Sequence, residues 1–356
     1  MQRFLKNEAL SPASVETGSA PQFIRRIKAD RSQSWRRSIQ LIFLALNVWI
    51  GIQFALFVRY FESGGKSIHL SRPPGVEGWL PISGLMNLKY LLSTGSVPSL
   101  HPAAMFLLIA FLLISILFRK AFCGWLCPIG LISEALWKFG RRLLKRNWDL
   151  PRGVDLPLRS LKYLLLALFA YAVGGMSAAA IEAFQSSPYG LVADVKMLHF
   201  FEFLTGTAAI TIAALFVLSI FVKNFWCRYL CPYGALVGLA SIFSPAKVFR
   251  DTQRCIDCAK CAQACPALLK VDQLISVRSA ECTGCMECVA VCPAEGALQM
   301  SFGRKYQLSP WVLAAGLAVI FLGITGYAKW KGTWGSNIPD STYEQLIPQL
   351  DSLQHP

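Results

Sequence analysis

Eight cysteines in two runs of the form CxxCxxCxxxCP carry the most specific chemistry in the chain. Cys255, Cys258, Cys261 and Cys265 are closed by Pro266, and Cys282, Cys285, Cys288 and Cys292 by Pro293. In this spacing three thiolates of each run hold one 4Fe-4S cluster and the fourth crosses to the other cluster. It predicts Cys255, Cys258, Cys261 and Cys292 on one cluster, and Cys282, Cys285, Cys288 and Cys265 on the second. Zinc is the weaker alternative, because zinc sites usually pair two CxxC knuckles across a longer gap. The remaining four cysteines, Cys123 with Cys127 and Cys227 with Cys231, form two CxxxCP pairs, so all twelve belong to motifs. On a helix, residues four apart share a face with about 6 Å of rise between them, so each pair offers two sulfurs in one direction. Pro128 and Pro232, with Gly130 and Gly234 close behind, then redirect the chain. Two such elbows face to face would present four thiolates to an iron or iron-sulfur centre. Structural zinc and redox-active or merely packed thiols are the alternatives. An internal disulfide is disfavoured, since helical i and i+4 cysteines lie at the long end of the bridging range.

The elements that must position these cysteines are membrane helices. Hydrophobic residues make up 54% of the 356 positions and charged residues only 15%, a balance that suits a bilayer better than two soluble domains. Uncharged runs of about spanning length cover 39–58, 103–118, 163–181, 204–222 and 309–328, predicting five transmembrane helices. The second is short unless it starts near Leu100 or continues past Arg119 and Lys120. The segments ILFRKAFCGWLCPIGLI from Ile116 and IFVKNFWCRYLCPYGAL from Ile220 read as copies of one unit. Helices one and two would then relate to three and four by a parallel 2+2 internal repeat.

The fold class expected is an α-helical integral membrane protein of about five transmembrane helices with an inserted bacterial-type two-cluster ferredoxin domain. Its divisions are a basic segment at 1–38, a four-helix membrane domain at 39–240, the ferredoxin domain at 241–305, a fifth helix at 306–328 and a tail at 329–356. SPAK leads into the ferredoxin domain, and Arg304 with Lys305 marks the return to the membrane. Leu268–Val277, between the cysteine runs, is expected to hold a helical turn and a strand in a domain too small to stand without its metal.

Arg25, Arg26, Lys28, Arg31, Arg36 and Arg37 crowd before the first helix, ten Lys or Arg lie in 119–162, and 181–207 has Lys196 alone. Positive residues stay inside, which places the N-terminus and the ferredoxin domain in the cytoplasm of a bacterial inner membrane and the tail in the periplasm. The reducing cytoplasm keeps thiols available to metal. The net charge of +15 is explained by this asymmetry and by contact with anionic lipid, not by nucleic acid.

The four histidines, His69, His101, His199 and His355, lie outside the spans, so the paired intramembrane histidines of a diheme cytochrome are missing. CxxCH, P-loop and GxGxxG signatures are absent from the sequence as well. His69, His101, Glu62, Glu182 and Glu202 lie near the outer helix ends, where a quinol headgroup would need a proton acceptor; solvated or capping roles are the plainer reading. Trp49, Trp79, Trp125, Trp226 and Trp311 read as interfacial belt residues.

Four helices carrying CGWLCP and CRYLCP, followed by CIDCAKCAQACP and CTGCMECVAVCP, resemble the NapH-type membrane polyferredoxins over about residues 36 to 305. A related module occurs in NosR. The resemblance implies a quinol dehydrogenase-like oxidoreductase component that takes electrons from membrane quinol, through two 4Fe-4S clusters, toward a periplasmic reductase or cytochrome within a membrane complex. The fifth helix and the tail, with Trp330, Trp334 and YEQLIP, depart from that pattern; the tail would dock a partner or extend the anchor. A related family implicated in oxidase maturation carries a folded periplasmic domain here, for which this tail is too short. Two alternatives remain. Electrons could run the other way, from a cytoplasmic low-potential donor to quinone, or the chain could be a metal-handling or redox-sensing membrane protein. Clusters of this type span about −700 to +450 mV, so ligand spacing does not fix the direction.

Overall fold

The computed structural model describes residues 24–27, 30–303 and 305–354. Most of the basic segment before residue 24, together with Lys28, Arg304 and His355, lies outside the described residues.

The five apolar runs are helical over most of their length, as apolar sequence in lipid must be to pair its own amides. They lie on α1 (Ser32–Glu62), α3 (Pro102–Phe118), α5 (Arg152–Gly175), α9 (Gly206–Phe221) and α13 (Pro310–Trp330), with α2 (Pro81–Thr94) and α4 (Pro128–Leu144) between the first three, but the run expected at 163–181 leaves its helix at Met176 and Ser177 and resumes in a separate short helix. Among the described residues α1, α5 and α13 are long and apolar enough to cross a bilayer unaided. The fourth candidate is α9 joined to α8 (Ala193–Glu202) at an 80° bend, after the short helices α6 (Ala178–Gln185) and α7 (Pro188–Leu191). Helix α3 does not run past Arg119, which adopts φ +63 and donates its N–H to Ser244 Oγ at 2.9 Å. Its 17 residues rise about 26 Å, short of a ~30 Å hydrocarbon core.

After α10 (Pro232–Ala240) the chain leaves the helices through β1 (Ala246–Arg250) into the ferredoxin segment, with α11 (Lys260–Ala264) and α12 (Glu287–Ala290) following the cysteine loops. It returns through β2 (Leu298–Phe302) and β3 (Tyr306–Gln307), which complete an antiparallel sheet of order β1-β2-β3 with Val248 opposite Met300. The linker supplies a 3-10 turn at Val271–Gln273, as its sequence suggests, but only a single bridge to β1, Phe249 to Ser276, in place of a strand. Val248, Val271, Val277, Leu298 and Met300 share one buried core with Ile114, Ala121, Trp125, Leu313 and Leu317. The ferredoxin segment therefore borrows its core from α3 and α13 and is not a lobe on a tether.

At the opposite end the tail folds back on its own chain. Tyr343 of α14 (Asp340–Leu346), with Ile347 and Leu350, is buried against Phe54, Phe57, Phe61, Val192 and Val195. Beneath it lies a buried ionic network. Arg72 donates to Asp194 at 2.8 Å and to Glu77 at 2.8 Å, Ser336 Oγ donates to Glu77 at 2.6 Å, and Glu77 accepts the Ala103 N–H that opens α3 at 2.9 Å. Burial opposes ionisation of Glu77, but the neighbouring His101 and Arg72 outweigh it and hold the carboxyl at about 2. The stability this lowered value contributes is complete above the ordinary value of 4.5 and is lost as pH falls towards about 2. Amide exchange across 336–350, corrected for intrinsic rates, should therefore be slow at neutral pH and accelerate in acid, with Glu77→Gln accelerating it already at neutral pH. Protection that ignores both changes would show that the tail is held by apolar contact alone.

Candidate iron-sulfur and elbow thiol sites

Both CxxxCP pairs adopt the same local course. A π-helical turn, Phe122–Leu126 or Trp226–Leu230, closes with an i to i−5 bond, Cys127 N–H to Phe122 O at 2.9 Å and Cys231 N–H to Trp226 O at 3.1 Å. The second cysteine of each pair is then extended and stands at the N-cap of α4 or α10, whose first residue is the proline. This corrects the regular i, i+4 face expected from spacing. The wide turn leaves the α-helical register, as single π turns often do at functional sites, and proline's fixed φ starts the next helix. Gly234 N–H donates to Cys231 Sγ at 3.2 Å, so a helix N-terminus faces that sulfur. At Gly130 a Cβ would stand 2.3 Å from Cys123 O, which explains why the tight return after the proline needs glycine. Cys123, Cys127, Cys227 and Cys231 lie close enough to feel one another's charge. The buried Lys120 is also in reach, its Nζ 3.9 Å from Glu281. Four thiols within electrostatic reach of one another beside a buried cation, no three of their sulfurs within 4.8 Å, suit the wider spacing of a cluster better than a single metal ion.

The ferredoxin cysteines fall into two groups. Cys265, Cys282, Cys285 and Cys288 line one cavity, walled by Val248, Val271, Val277 and Met286. Cys292 lies instead beside Cys255 and Cys258, and Cys261 is close to Cys255 and Cys292. Each run holds left-handed residues at matching places, Asp257 and Ala259 in one, Gly284 and Met286 in the other. Successive turns of that kind aim backbone N–H groups inward, the arrangement that cradles anionic clusters. Burial pushes the Cys285 thiol up to about 12 and Cys261 to about 11. Without metal these sulfurs keep their protons, and binding iron must displace them. In the first group Cys265, Cys285 and Cys288 are buried and Cys282 is half-buried, whereas in the second Cys261 alone is buried, Cys255 and Cys292 are half-buried and Cys258 is exposed. The first group is therefore interior and the second opens to solvent.

A second cavity lies between the elbows and the ferredoxin segment, lined by Cys123, Cys227, Arg36, Lys120, Glu134 and Glu281. It shares Pro266, Ala267 and Thr283 with the first as a common wall. Each elbow grips a different cysteine run. Trp125 Nε1 donates to Gly284 O at 3.0 Å, while Arg228 Nη1 donates to Ala267 O at 2.6 Å and Lys223 Nζ to Gln263 O at 2.9 Å. Trp125 is thus fully buried and no belt residue, because its N–H finds a partner inside. Trp49 and Trp311 do face outward.

The five proton-acceptor candidates do not form one site. His101 is buried in the far-end network, its Nε2 2.9 Å from Gly190 O. Glu62 pairs with His199 at 2.6 Å, and Glu202 joins them with all three ligand atoms within 4.8 Å. His69 stands 3.4 Å from Asp340 and packs on Tyr60, and Glu182 is solvent-exposed. Helix α3 runs between that end and the elbows.

Several charged residues at these sites escape sequence reasoning. Arg36 bridges Glu134 and Glu287, Lys162 donates to both oxygens of Glu281 at 2.6 and 2.7 Å, and Arg228 with Tyr229 closes on Asp155. Their signal was charge beside or within apolar runs, which membrane chains keep mainly where a partner is waiting.

Comparison with known proteins finds iron-sulfur families over the same segments. The family described as 4Fe-4S binding domain matches residues 100–147 and again 204–249, each containing one elbow, and the 4Fe-4S dicluster domain matches 248–300. "Putative electron transport protein YccM" of Escherichia coli is 47% identical over 90% of this chain and 92% of its own length. The Pseudomonas aeruginosa regulatory protein NosR is 30% identical over 41% of this chain and 19% of its own. The E. coli ferredoxin-type protein NapH is 29% identical over 49% and 59%. No solved structure matches. With its iron-sulfur motifs, its membrane helices and a relative aligned over nearly its whole length, the chain belongs to the NapH-type membrane polyferredoxins, a family of iron-sulfur electron-transport proteins related to NosR.

Proposed function

We propose that the protein passes electrons from membrane quinol through two 4Fe-4S clusters, ligated by Cys255, Cys258, Cys261 and Cys292 and by Cys282, Cys285, Cys288 and Cys265, toward a redox partner subunit such as a periplasmic reductase or cytochrome. The observation that carries the reading is the cavity lined by Cys265 from one run with three cysteines of the other. Cys123, Cys127, Cys227 and Cys231 hold a further iron or iron-sulfur centre. A bound cluster supplies one-electron storage, and the protein's own groups set its charge environment. Lys120 and Arg228 flank the elbow thiols, and cations stabilise the more negative, reduced form and so favour a higher potential.

The two elbows belong to a 2+2 parallel repeat of the first four of five spanning helices, with the N-terminus and ferredoxin domain cytoplasmic and the tail periplasmic. The like course of the two elbows and the repeated match of one family support this. Quinol oxidation is best placed beside the elbows. At the far end, near His101, it would lie about a helix length of 26 Å from the elbow thiols, and electronic coupling decays steeply over such a span. His101, Glu62, His69, Glu182 and Glu202 would then stand apart from the redox step. The exposure of Cys258 favours a second reading, in which a soluble low-potential donor feeds the clusters and quinone is reduced.

An anaerobic redox titration read by electron paramagnetic resonance, with iron and sulfide counted on the same sample, tests both. Midpoints near or above the quinone couple support quinol oxidation, and midpoints far below it support the reverse flow. Replacing Cys127 and Cys231 together with alanine should lower the iron count while both ferredoxin signals persist. Unchanged iron with lost electron transfer would instead assign the elbow thiols a metal-free role.

A further inference from the structure

We propose that the redox centres are wired in one order: the elbow centre, then the cluster of Cys265, Cys282, Cys285 and Cys288, then the cluster of Cys255, Cys258, Cys261 and Cys292, with Trp125 bridging the first step. The proposal rests on the reading that the elbow thiols hold an iron-sulfur centre. Its observation is the wall of Pro266, Ala267 and Thr283 common to the two cavities. Two of those residues directly follow Cys265 and the third directly follows Cys282, so the wall is made by the cluster loops themselves.

The approach across this wall is as close as backbone allows. A Cβ on Gly124, between Cys123 and Cys127, would meet Thr283 O at 2.8 Å. Beside it the indole of Trp125 is fully buried and donates to the carbonyl of Gly284, the residue just before Cys285. A conjugated ring and one hydrogen bond therefore span from one cysteine loop to the other. The first turns of α1 hold both loops in place, as Gln40 donates to Gly124 O at 2.9 Å and Gln33 donates to Cys285 O at 2.9 Å. The exposed Cys258 sits in the group farthest along this order, where a soluble partner could exchange electrons. Each transfer oxidises one centre by one electron and reduces its neighbour by one, with no bond made and no proton moved.

The test uses anaerobically purified full-length protein whose iron and sulfide have been counted. Reduced methyl viologen enters at the exposed cluster, and freeze-quenched paramagnetic resonance follows each centre. In the wild type the outer ferredoxin cluster should be reduced first and the elbow centre last, with spin-spin broadening between the elbow and interior signals. Trp125→Phe should keep the full iron count while severalfold slowing reduction of the elbow centre alone. Cys265→Ser, lacking the interior cluster, should leave the elbow centre oxidised while the outer cluster still reduces. Elbow iron present and reduced at an unchanged rate in both variants would overturn the order alone. Elbow iron missing from the wild type would overturn it together with the reading on which it rests. If Cys265→Ser fails to assemble, the Trp125→Phe rate and the wild-type broadening decide.

Discussion

Cys292→Ala removes one cluster and spares the other: iron falls by about four atoms per chain, and the signal that survives belongs to the interior centre. The expectation follows from where the last cysteine of each run ends up. Cys292 lies beside Cys255 and Cys258, whereas Cys265 opens onto the cavity of Cys282, Cys285 and Cys288. The reciprocal Cys265→Ala should spare the outer cluster and cost more stability, because its cavity sits in the core shared with Trp125 and α3. Structural metal in small domains carries much of their folding energy, so the interior loss should also loosen β1 and the elbows. Quantitative resonance with iron and sulfide analysis on both variants distinguishes the cases. Loss of the interior signal in Cys292→Ala would show that each run keeps its own fourth ligand.

The clusters were legible because their chemistry is written in local spacing: three thiols at two-residue gaps and a prolyl fourth admit few alternatives. Apolar runs were legible for a similar reason, since bilayer thickness fixes a length, and all five are helical over most of their length, with the run at 163–181 broken at Met176 and Ser177. What escaped was nonlocal or depended on a departure from regular geometry. The π turns at Phe122–Leu126 and Trp226–Leu230 come from a backbone pairing that CxxxC does not announce. Trp125 carries the composition of a belt residue, and only the carbonyl of Gly284, 159 positions away, makes it an interior one. The tail, expected to be an anchor or to await a partner, finds its partner in Phe54, Phe57 and Phe61 of its own first helix. His101 drew notice as a histidine near a helix end, but its buried neighbours Arg72, Glu77 and Asp194 come from segments that no periodicity links. In sequence Arg36 reads as one of the positive residues that set orientation. The structure gives it a second task.

Arg36→Ala is expected to destabilise the protein by about 3–5 kcal/mol, the usual cost of removing one partner from a buried ionic cluster. Arg36 is 3% exposed, and its guanidinium donates to Glu134 through both terminal nitrogens at 2.7 and 2.6 Å, to Glu287 at 2.9 Å and to Gly124 O at 3.3 Å. It therefore ties α1 to α4, to the ferredoxin segment and to the first elbow. Alanine would leave the two carboxylates with Lys138, at 2.6 Å from Glu134 and 2.8 Å from Glu287, and the neutral Gln40 amide, at 3.4 Å from Glu134. Lysine at this position should rescue only part of the loss, since a single ammonium cannot reproduce the two-pronged contact. The sign of the pH dependence separates this account from simple loss of packing. Burial tends to raise the Glu134 carboxyl, but Arg36 and Lys138 outweigh it and hold it low. In the wild type that contribution is present above 4.5 and fades as pH falls. In the variant the stranded carboxylate gains by taking up a proton, so the stability gap between the two proteins should be widest near neutrality and narrow in acid. Thermal unfolding in detergent across that range, with iron retention followed in parallel, measures the gap. A deficit that stays constant with pH would mean that Arg36 acts through its aliphatic stem and not through the charges it joins.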